Sequence, residues 1–182
     1  MNLKEILNNN DELYDVDIKG ITADSRKVEK GFMFVALPGL KFNGADFIDN
    51  AIAAGAIAIL CIEDARTQNP DVIWLTHENP AQVFPQYVSR FFQDQPSNIA
   101  AVTGTNGKTS VAFFTQQIWS HMGIKAASVG TLGIHADGYD QKTGLTTPDP
   151  VVIHQALKEL SNLDVSHVVF EASSHGLDQY RL

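Results

Sequence analysis

The segment Gly104-Thr105-Asn106-Gly107-Lys108-Thr109 constrains the fold of this 182-residue chain more than any other. It follows the apolar run Ile99–Val102, which predicts a buried parallel strand. It precedes a predicted helix whose apolar residues recur at helical spacing: Val111, Phe114, Ile118 and Met122. A glycine-containing turn between strand and helix can curl main-chain N–H groups around phosphate oxygens, and the helix start adds its positive dipole end. The segment therefore predicts a phosphate-binding loop, with an ordinary glycine turn before a helix as the alternative.

Two side chains of this loop would carry its chemistry. Lys108 is placed to neutralise terminal phosphates, and the hydroxyl of Thr109 suits a magnesium ion. The general phosphate-loop pattern is met only in part, because Val102 stands where that pattern has its first glycine. The strand before the loop and the helix after it nevertheless favour phosphate binding over a plain turn.

Glu171 is the second candidate for metal chemistry, since it ends the apolar strand Val168–Phe170. Ligands of open α/β sheets bind at the carboxyl ends of the strands, so Glu171 is expected at the same rim as the loop. A carboxylate there suits a magnesium ion shared with Thr109, and a solvated glutamate at a strand end is the alternative. His175, four residues on, either orients a substrate or satisfies the backbone of its own loop.

The pattern of helices and strands predicts two α/β parts. A helix capped by Asp46 and ending at Gly55 is flanked by apolar segments that predict strands, at 32–37, 56–62 and 72–75. The polar, proline-containing segment Gln93–Asn98 indicates a domain boundary. The predicted fold is a complete small N-terminal α/β domain, residues 1–95, followed by the truncated start of a phosphate-loop α/β domain, residues 96–182.

Composition excludes several other kinds of protein. The formal net charge of −8 gives no overall attraction to nucleic acid or to a membrane surface, so neither partner is expected. The single cysteine, Cys61, lies among isoleucine and leucine, which predicts a buried thiol rather than a nucleophile. No apolar run is long enough to span a bilayer, and the start of the chain is unlike a signal peptide. A cytoplasmic protein is expected.

Several blocks of the chain resemble the Mur ligases of peptidoglycan synthesis, and among them the MurE type. The matching blocks occur in the family's order and spacing: Thr22–Arg26 with Gly31–Ala36, Gly44–Ile48, Thr103–Ser110, Thr146–Pro148, and Glu171–Gln179 with Arg181. The phosphate loop is shared with sister ligases and with folylpolyglutamate synthetases. The Asp24-Ser25-Arg26 block and the last block are specific to the MurE type.

The resemblance assigns roles to individual residues. It implies that the first domain binds the uridine end of UDP-N-acetylmuramoyl-L-alanyl-D-glutamate at Ala23 and Ser25. Three further contacts fall on Leu40, Lys41 and Phe42, in a loop that departs from the family's histidine- and glutamine-containing version. It implies that the second domain binds ATP through Gly104, Thr105, Asn106, Gly107, Lys108, Thr109 and Ser110, with Lys108 as the catalytic residue. Thr109 and Glu171 match the Mg²⁺ ligands. The muramoyl-dipeptide contacts match Thr146, Thr147, Ser173, Gln179 and Arg181.

The resemblance also implies a reaction. A carboxylate of the D-glutamyl residue takes the γ-phosphoryl group of ATP to give an acyl phosphate and ADP, and an amine of meso-diaminopimelate or L-lysine then displaces phosphate. Family members are longer, so the chain is expected to be an N-terminal fragment that is inactive alone. An exposed strand edge and exposed apolar surface favour self-association or disorder near the C-terminus. The alternatives are another ligase of the superfamily, similar to folylpolyglutamate synthetase, and a non-catalytic nucleotide-sugar-binding module.

Overall fold

The structure is a computed structural model that describes residues 1–39, 42–67 and 69–182. The chain forms two compact units, Met1–Phe91 and Phe92–Leu182. Each unit has its own sheet and belongs to the α/β class that the sequence predicts.

The first unit is built on a four-stranded parallel sheet in the order β1-β2-β3-β4. Short helices and 3-10 turns connect its strands, as expected for parallel pairing, which requires crossovers. The elements are α1 Leu3–Leu7, β1 Gly20–Thr22, β2 Phe32–Val35, α2 Ile48–Ala53, β3 Ala58–Cys61, β4 Ile73–Thr76 and α3 Pro80–Phe92.

Residues of β2 and β3 form the centre of the first unit. All four residues of β3 are buried, and Phe34 and Ile59 pack with Ala51 of α2 in one core. Cys61 is fully buried there, and desolvation raises the pKa of its thiol to about 11. The prediction of a buried, unreactive thiol is therefore confirmed.

The helix predicted to start at Asp46 begins differently. A 3-10 turn over Gly44–Phe47 comes first, and the side chain of Asn43 caps that turn by accepting from the N–H of Ala45. α2 then continues from Ile48 without a side-chain cap. Asp46 is therefore not the cap, because the chain already turns three residues earlier. Gly55 has a positive φ, consistent with a helix that stops just before it.

The second unit contains a five-stranded sheet in the order β5-β9-β6-β7-β8. β5, β9 and β6 are parallel, and β7 and β8 continue the sheet antiparallel. The elements are β5 Asn98–Val102, α4 Lys108–His121, β6 Ala126–Gly130, β7 Gly133–Ala136, β8 Tyr139–Gln141, α5 Pro150–Asn162, β9 His167–Glu171 and α6 Ser174–Asp178.

The core of the second unit lies between α5 and the strands β6, β7 and β9. Leu160 and Ile153 of α5 pack with Val168 of β9 and Ile134 of β7. α5 begins at Pro150 after Asp149, whose side chain accepts from the N–H of Val151. A capping aspartate followed by proline at the first helical position explains the sharp start of this helix.

One predicted burial pattern is wrong. β5 lies at the edge of the sheet, and four of its five residues, Asn98 to Ala101, are exposed. On α4 the predicted apolar residues are also at least half exposed: Val111, Phe114, Ile118 and Met122. Apolar spacing predicts which side of a helix is apolar but does not say what covers that side. Within the described residues, β5 pairs only with β9, and Ala112 is the buried residue of α4.

Among the helices of the described ranges, none is long and apolar enough to cross a membrane.

Candidate phosphate and metal site

The phosphate loop lies between β5 and α4, as the sequence predicts. Gly107 has a φ of 82° and immediately precedes the 14-residue α4. A side chain at this position would be strained in the left-handed region, although no atom lies within 4 Å of a Cβ built there. The glycine is therefore needed for the backbone turn that presents the first N–H groups of α4 on one side.

The side chains of the loop and of the first turn of α4 are accessible. Thr105, Asn106 and Ser110 are exposed, and Lys108 is half-buried. The Nζ atom of Lys108 donates to the carbonyl oxygen of Gly104 at 2.7 Å. This bond holds the ammonium group against the loop.

Thr109 and Glu171 lie together, as the sequence predicts. The Oγ1 atom of Thr109 donates to Oε2 of Glu171 at 2.8 Å, across 62 positions of sequence. Glu171 is only 3% exposed at the end of β9, so its carboxylate is a buried group that requires partners. The alternative of a solvated glutamate is excluded by this burial.

Thr131 is a residue of this site that the sequence analysis missed. Its main-chain N–H donates to Oε1 of Glu171 at 2.8 Å, and its hydroxyl lies 3.3 Å from Oε2. Thr131 directly follows β6, so it lies at the same rim of the sheet as the end of β9. No strand was predicted before Thr131, and a main-chain N–H donor cannot be recognised from the type of the residue that carries it.

Close packing of the backbone shapes the same site. A Cβ at Gly130 would lie 2.0 Å from Oε1 of Glu171, well inside contact distance. Glycine is therefore required at the end of β6 for the carboxylate to reach the N–H of Thr131.

The donor set fits magnesium. Mg²⁺ takes octahedral oxygen ligands at about 2.0–2.1 Å, which places adjacent ligands about 2.9 Å apart. The oxygens of Thr109 and Glu171 are 2.8 Å apart and match one such edge. Within the described residues no group of three or more His, Cys, Asp or Glu could hold a metal ion. One carboxylate and one hydroxyl beside a phosphate loop is a set that Mg²⁺ completes with water and phosphate oxygens.

Five further predicted residues surround this rim. Thr147 is 2% exposed, and its hydroxyl contacts the carbonyl oxygen of Glu171 at 3.0 Å and the hydroxyl of Ser173 at 2.9 Å. Arg181 donates to the carbonyl oxygen of Thr147 at 2.9 Å and to the side-chain oxygen of Gln179. Thr146 contacts Thr131 through its hydroxyl at 3.0 Å. The structure therefore brings all five to the Glu171 end of β9.

His175 lies exposed on α6, beside this group. Its Nε2 atom lies 3.4 Å from Nε2 of Gln179. The partner found for its ring is thus a side chain rather than the loop backbone that the sequence analysis considered.

The first unit carries a separate cavity of about 420 Å³, lined by Ala23, Asp24, Ser25, Arg26, Phe42 and Phe47. Ala23, Ser25 and Phe42, three of the predicted uridine contacts, are therefore neighbours. The other two, Leu40 and Lys41, lie outside the described residues.

An ion pair organises the wall of this cavity. Asp24 accepts from Nε and Nη2 of Arg26, both at 2.8 Å, and from the N–H of Arg26 at 3.1 Å. The guanidinium group lowers the pKa of Asp24 to about 2. Asp24 therefore stays ionised and keeps the Ser25–Lys27 turn capped at neutral pH.

The Asp24→Asn variant should show the pH dependence of this ion pair. The pKa of Asp24 is about 2 in the folded chain, below the ordinary value of 3.8. The stabilisation is therefore complete above about pH 4 and is lost as the pH falls toward 2. We expect Asp24→Asn to lower the Tm by about 2 °C at pH 7, because the pair is partly exposed. Thermal unfolding at pH 7 and at pH 2 measures the difference, which should be several times smaller at pH 2, where about half of the Asp24 carboxyl is protonated in the folded chain. A difference that is unchanged at pH 2 would contradict this assignment.

Two family models match adjoining parts of this chain. The model described as "Mur ligase family, catalytic domain" matches residues 17–104, and the "Mur ligase middle domain" matches residues 102–182. The chain therefore belongs to the Mur ligase family.

Relatives and solved structures agree with this membership. The UDP-N-acetylmuramoyl-L-alanyl-D-glutamate–2,6-diaminopimelate ligase of Zymomonas mobilis is 50% identical over 92% of this chain and 34% of its own length. A solved ligase of the same name matches with a TM-score of 0.81 and 28% identity, over 100% of this chain and 38% of the other. MurF ligase from Thermotoga maritima, solved in complex with ADP, shares the fold, with a TM-score of 0.56 and 20% identity over 90% of this chain and 33% of the other.

The chain spans about a third of the length of the curated relatives that it matches: 34% of one and 38% of another.

Proposed function

We propose that this chain is the nucleotide-binding part of an ADP-forming ligase of the MurE type, which adds a diamino acid to UDP-N-acetylmuramoyl-L-alanyl-D-glutamate. The observation that carries the proposal is the buried Glu171 carboxylate bonded to Thr109 at the start of α4, directly behind the phosphate loop. A magnesium-dependent nucleotide site needs this combination of oxygen ligands and helix-start N–H groups. The names of the relatives support the choice of substrate.

In the proposed reaction, a carboxylate oxygen of the D-glutamyl residue bonds to the γ-phosphorus of ATP, and ADP leaves. The amine of the diamino acid then attacks the acyl phosphate, and phosphate leaves as the amide bond forms. Two anions must approach each other in the first step, so Lys108 and the N–H groups of α4 would offset their repulsion. When bound, magnesium would supply further positive charge at the phosphates, held by Thr109 and Glu171.

The remaining residues would position the substrates. We assign the muramoyl-dipeptide to Thr146, Thr147, Ser173, Gln179 and Arg181, where Arg181 supplies a cation that bonds the carbonyl oxygen of Thr147. We assign the uridine nucleotide to the cavity of the first unit, where Phe42 and Phe47 offer aromatic surface and Ser25 offers a hydroxyl. Leu40 and Lys41 stay predictions. The domain division at residue 95 and a cytoplasmic location are part of the same proposal.

An ADP-release assay tests the function. The assay uses a protein that contains this chain and is as long as the relatives. It is supplied with UDP-N-acetylmuramoyl-L-alanyl-D-glutamate, Mg·ATP and either meso-diaminopimelate or L-lysine. We expect ADP release with meso-diaminopimelate, the amine in the relatives' name, and no release from the 182-residue chain alone. Failure of both diamino acids would overturn the proposed reaction, and release by the chain alone would overturn its proposed inactivity.

We also propose that a second copy of this chain pairs with the exposed edge of β5. The edge strand Asn98–Val102 carries no charged residue that would oppose strand pairing, and the exposed apolar residues of α4 belong to the same unit. Replacing Ile99 by lysine should therefore abolish a concentration-dependent dimer in sedimentation experiments. Leu13→Lys is the matched control, because Leu13 is a comparably exposed apolar residue in the first unit. A wild-type chain that stays monomeric at 100 times its lowest measurable concentration would contradict this proposal.

A further inference from the structure

The hydrogen bonds that Thr131 and Thr109 make to Glu171 would respond differently to a bound metal ion. Both threonines donate to the carboxylate of Glu171. If Thr109 and Glu171 share a metal ion, the bond between them must give way, because the O–H bond of a metal-bound hydroxyl points away from the metal and therefore away from a neighbouring ligand of that metal. The two bonds from Thr131 can persist, because an ionised carboxylate offers about four lone-pair directions.

The hydroxyl of Thr131 also joins Glu171 to Thr146. It lies 3.3 Å from Oε2 of Glu171 and 3.0 Å from Oγ1 of Thr146. A hydroxyl has one proton to donate, and an ionised carboxylate is the stronger acceptor. The proton of Thr131 therefore points to Glu171, and the proton of Thr146 points to Thr131. With its proton used, Thr146 can offer only lone pairs to a substrate.

We infer that Thr131 is the positioning residue of the metal carboxylate, and that Thr146 accepts a hydrogen bond from an N–H or O–H group of the substrate. The inference rests on the proposed function, since it requires that Glu171 binds Mg²⁺ beside ATP. Thr131 holds both carboxylate oxygens from one direction, and Gly130 leaves the space that this requires. The carboxylate thus keeps its orientation whether or not Thr109 donates to it.

The test measures how much Mg²⁺ strengthens ATP binding to this chain. The Kd for ATP is determined by calorimetry with Mg²⁺ and with EDTA, and the ratio of the two values is compared among variants. Thr131→Val keeps the shape and the main-chain N–H but removes the hydroxyl, so we expect the ratio to fall about 5-fold. Thr131→Ser restores the hydroxyl and should stay within about 2-fold of wild type. Tm values for all variants show whether folding is affected, and Thr131 is exposed on the surface.

Thr146→Val decides the direction of the shared proton. If Thr131 donates to Glu171, removing the hydroxyl of Thr146 should leave the ratio within about 2-fold of wild type. If Thr131 instead donates to Thr146, Thr131→Val leaves the ratio unchanged and Thr146→Val raises it, which would overturn the inference. A wild-type chain whose ATP binding does not respond to Mg²⁺ would overturn the proposed metal site itself, and that result is distinct from a failure of Thr131.

Discussion

Replacing Lys108 by alanine is expected to weaken ATP binding about 100-fold and to leave UDP binding unchanged. A charge-assisted hydrogen bond contributes roughly 1.5–3 kcal/mol, so losing the ammonium group at a triphosphate corresponds to about 10- to 150-fold in Kd. In the structure, Nζ of Lys108 bonds the carbonyl oxygen of Gly104 at 2.7 Å, which places the charge on the loop itself. Calorimetric titrations of each nucleotide, in the presence of Mg²⁺, measure both effects.

Lys125→Ala is the matched control for this experiment. Like Lys108→Ala, this variant removes a lysine from the second unit. The Nζ atom of Lys125 donates to the carbonyl oxygen of Leu163 at 3.0 Å and to Asp164 at 3.2 Å, so this lysine is engaged away from the phosphate loop. It should leave the binding of both nucleotides unchanged. Equal loss of ATP and UDP binding in Lys108→Ala would show that the two nucleotides do not have separate sites.

The second large effect is expected for Glu171→Gln, which should abolish the stimulation of ATP binding by Mg²⁺. Glutamine keeps the size of the side chain and an acceptor for the N–H of Thr131, but it removes the negative charge that a divalent ion requires. Binding of ATP in EDTA should change less than 3-fold, because the loop and Lys108 are untouched. The Kd for ATP, measured against Mg²⁺ concentration, gives both values.

Two further variants separate charge from position. Gly130→Ala leaves the charge of Glu171 in place but puts a Cβ 2.0 Å from its present Oε1 position, so it should also lower the Mg²⁺ stimulation. Glu159→Gln is the control, since Glu159 pairs with the hydroxyl of Tyr139 at 2.7 Å on a different part of the unit. Full Mg²⁺ stimulation in Glu171→Gln would contradict the assignment of this carboxylate as a metal ligand.

Much of the candidate site was predictable because it depends on local pattern and on sheet geometry. The loop from Gly104 to Thr109 occurs between a strand and a helix, and both elements form where the apolar spacing predicts them. The contact between Thr109 and Glu171 follows from the parallel pairing of β5 with β9, which brings the ends of both strands to one rim. Residue type and strand direction were sufficient for this part.

Other features depend on information that residue type does not carry. Ile99 and Phe114 are exposed because no described element covers them. The spacing of apolar residues is the same whether or not a strand or helix surface is covered, so the sequence does not predict this exposure. Thr131 was missed because its shortest bond to Glu171 comes from the main chain. The cap at Asn43 replaced the predicted cap at Asp46 because both residue types cap well, and a 3-10 turn over Gly44–Phe47 precedes the helix.

The central claim is that one chain holds two separate nucleotide sites, one for Mg·ATP and one for the uridine nucleotide. The most direct test is to titrate Mg·ATP into the chain with and without saturating UDP. The proposal predicts one ATP bound per chain with the same Kd in both titrations. A Kd for ATP that rises in proportion to the UDP concentration would show competition for a single site and would contradict the proposal.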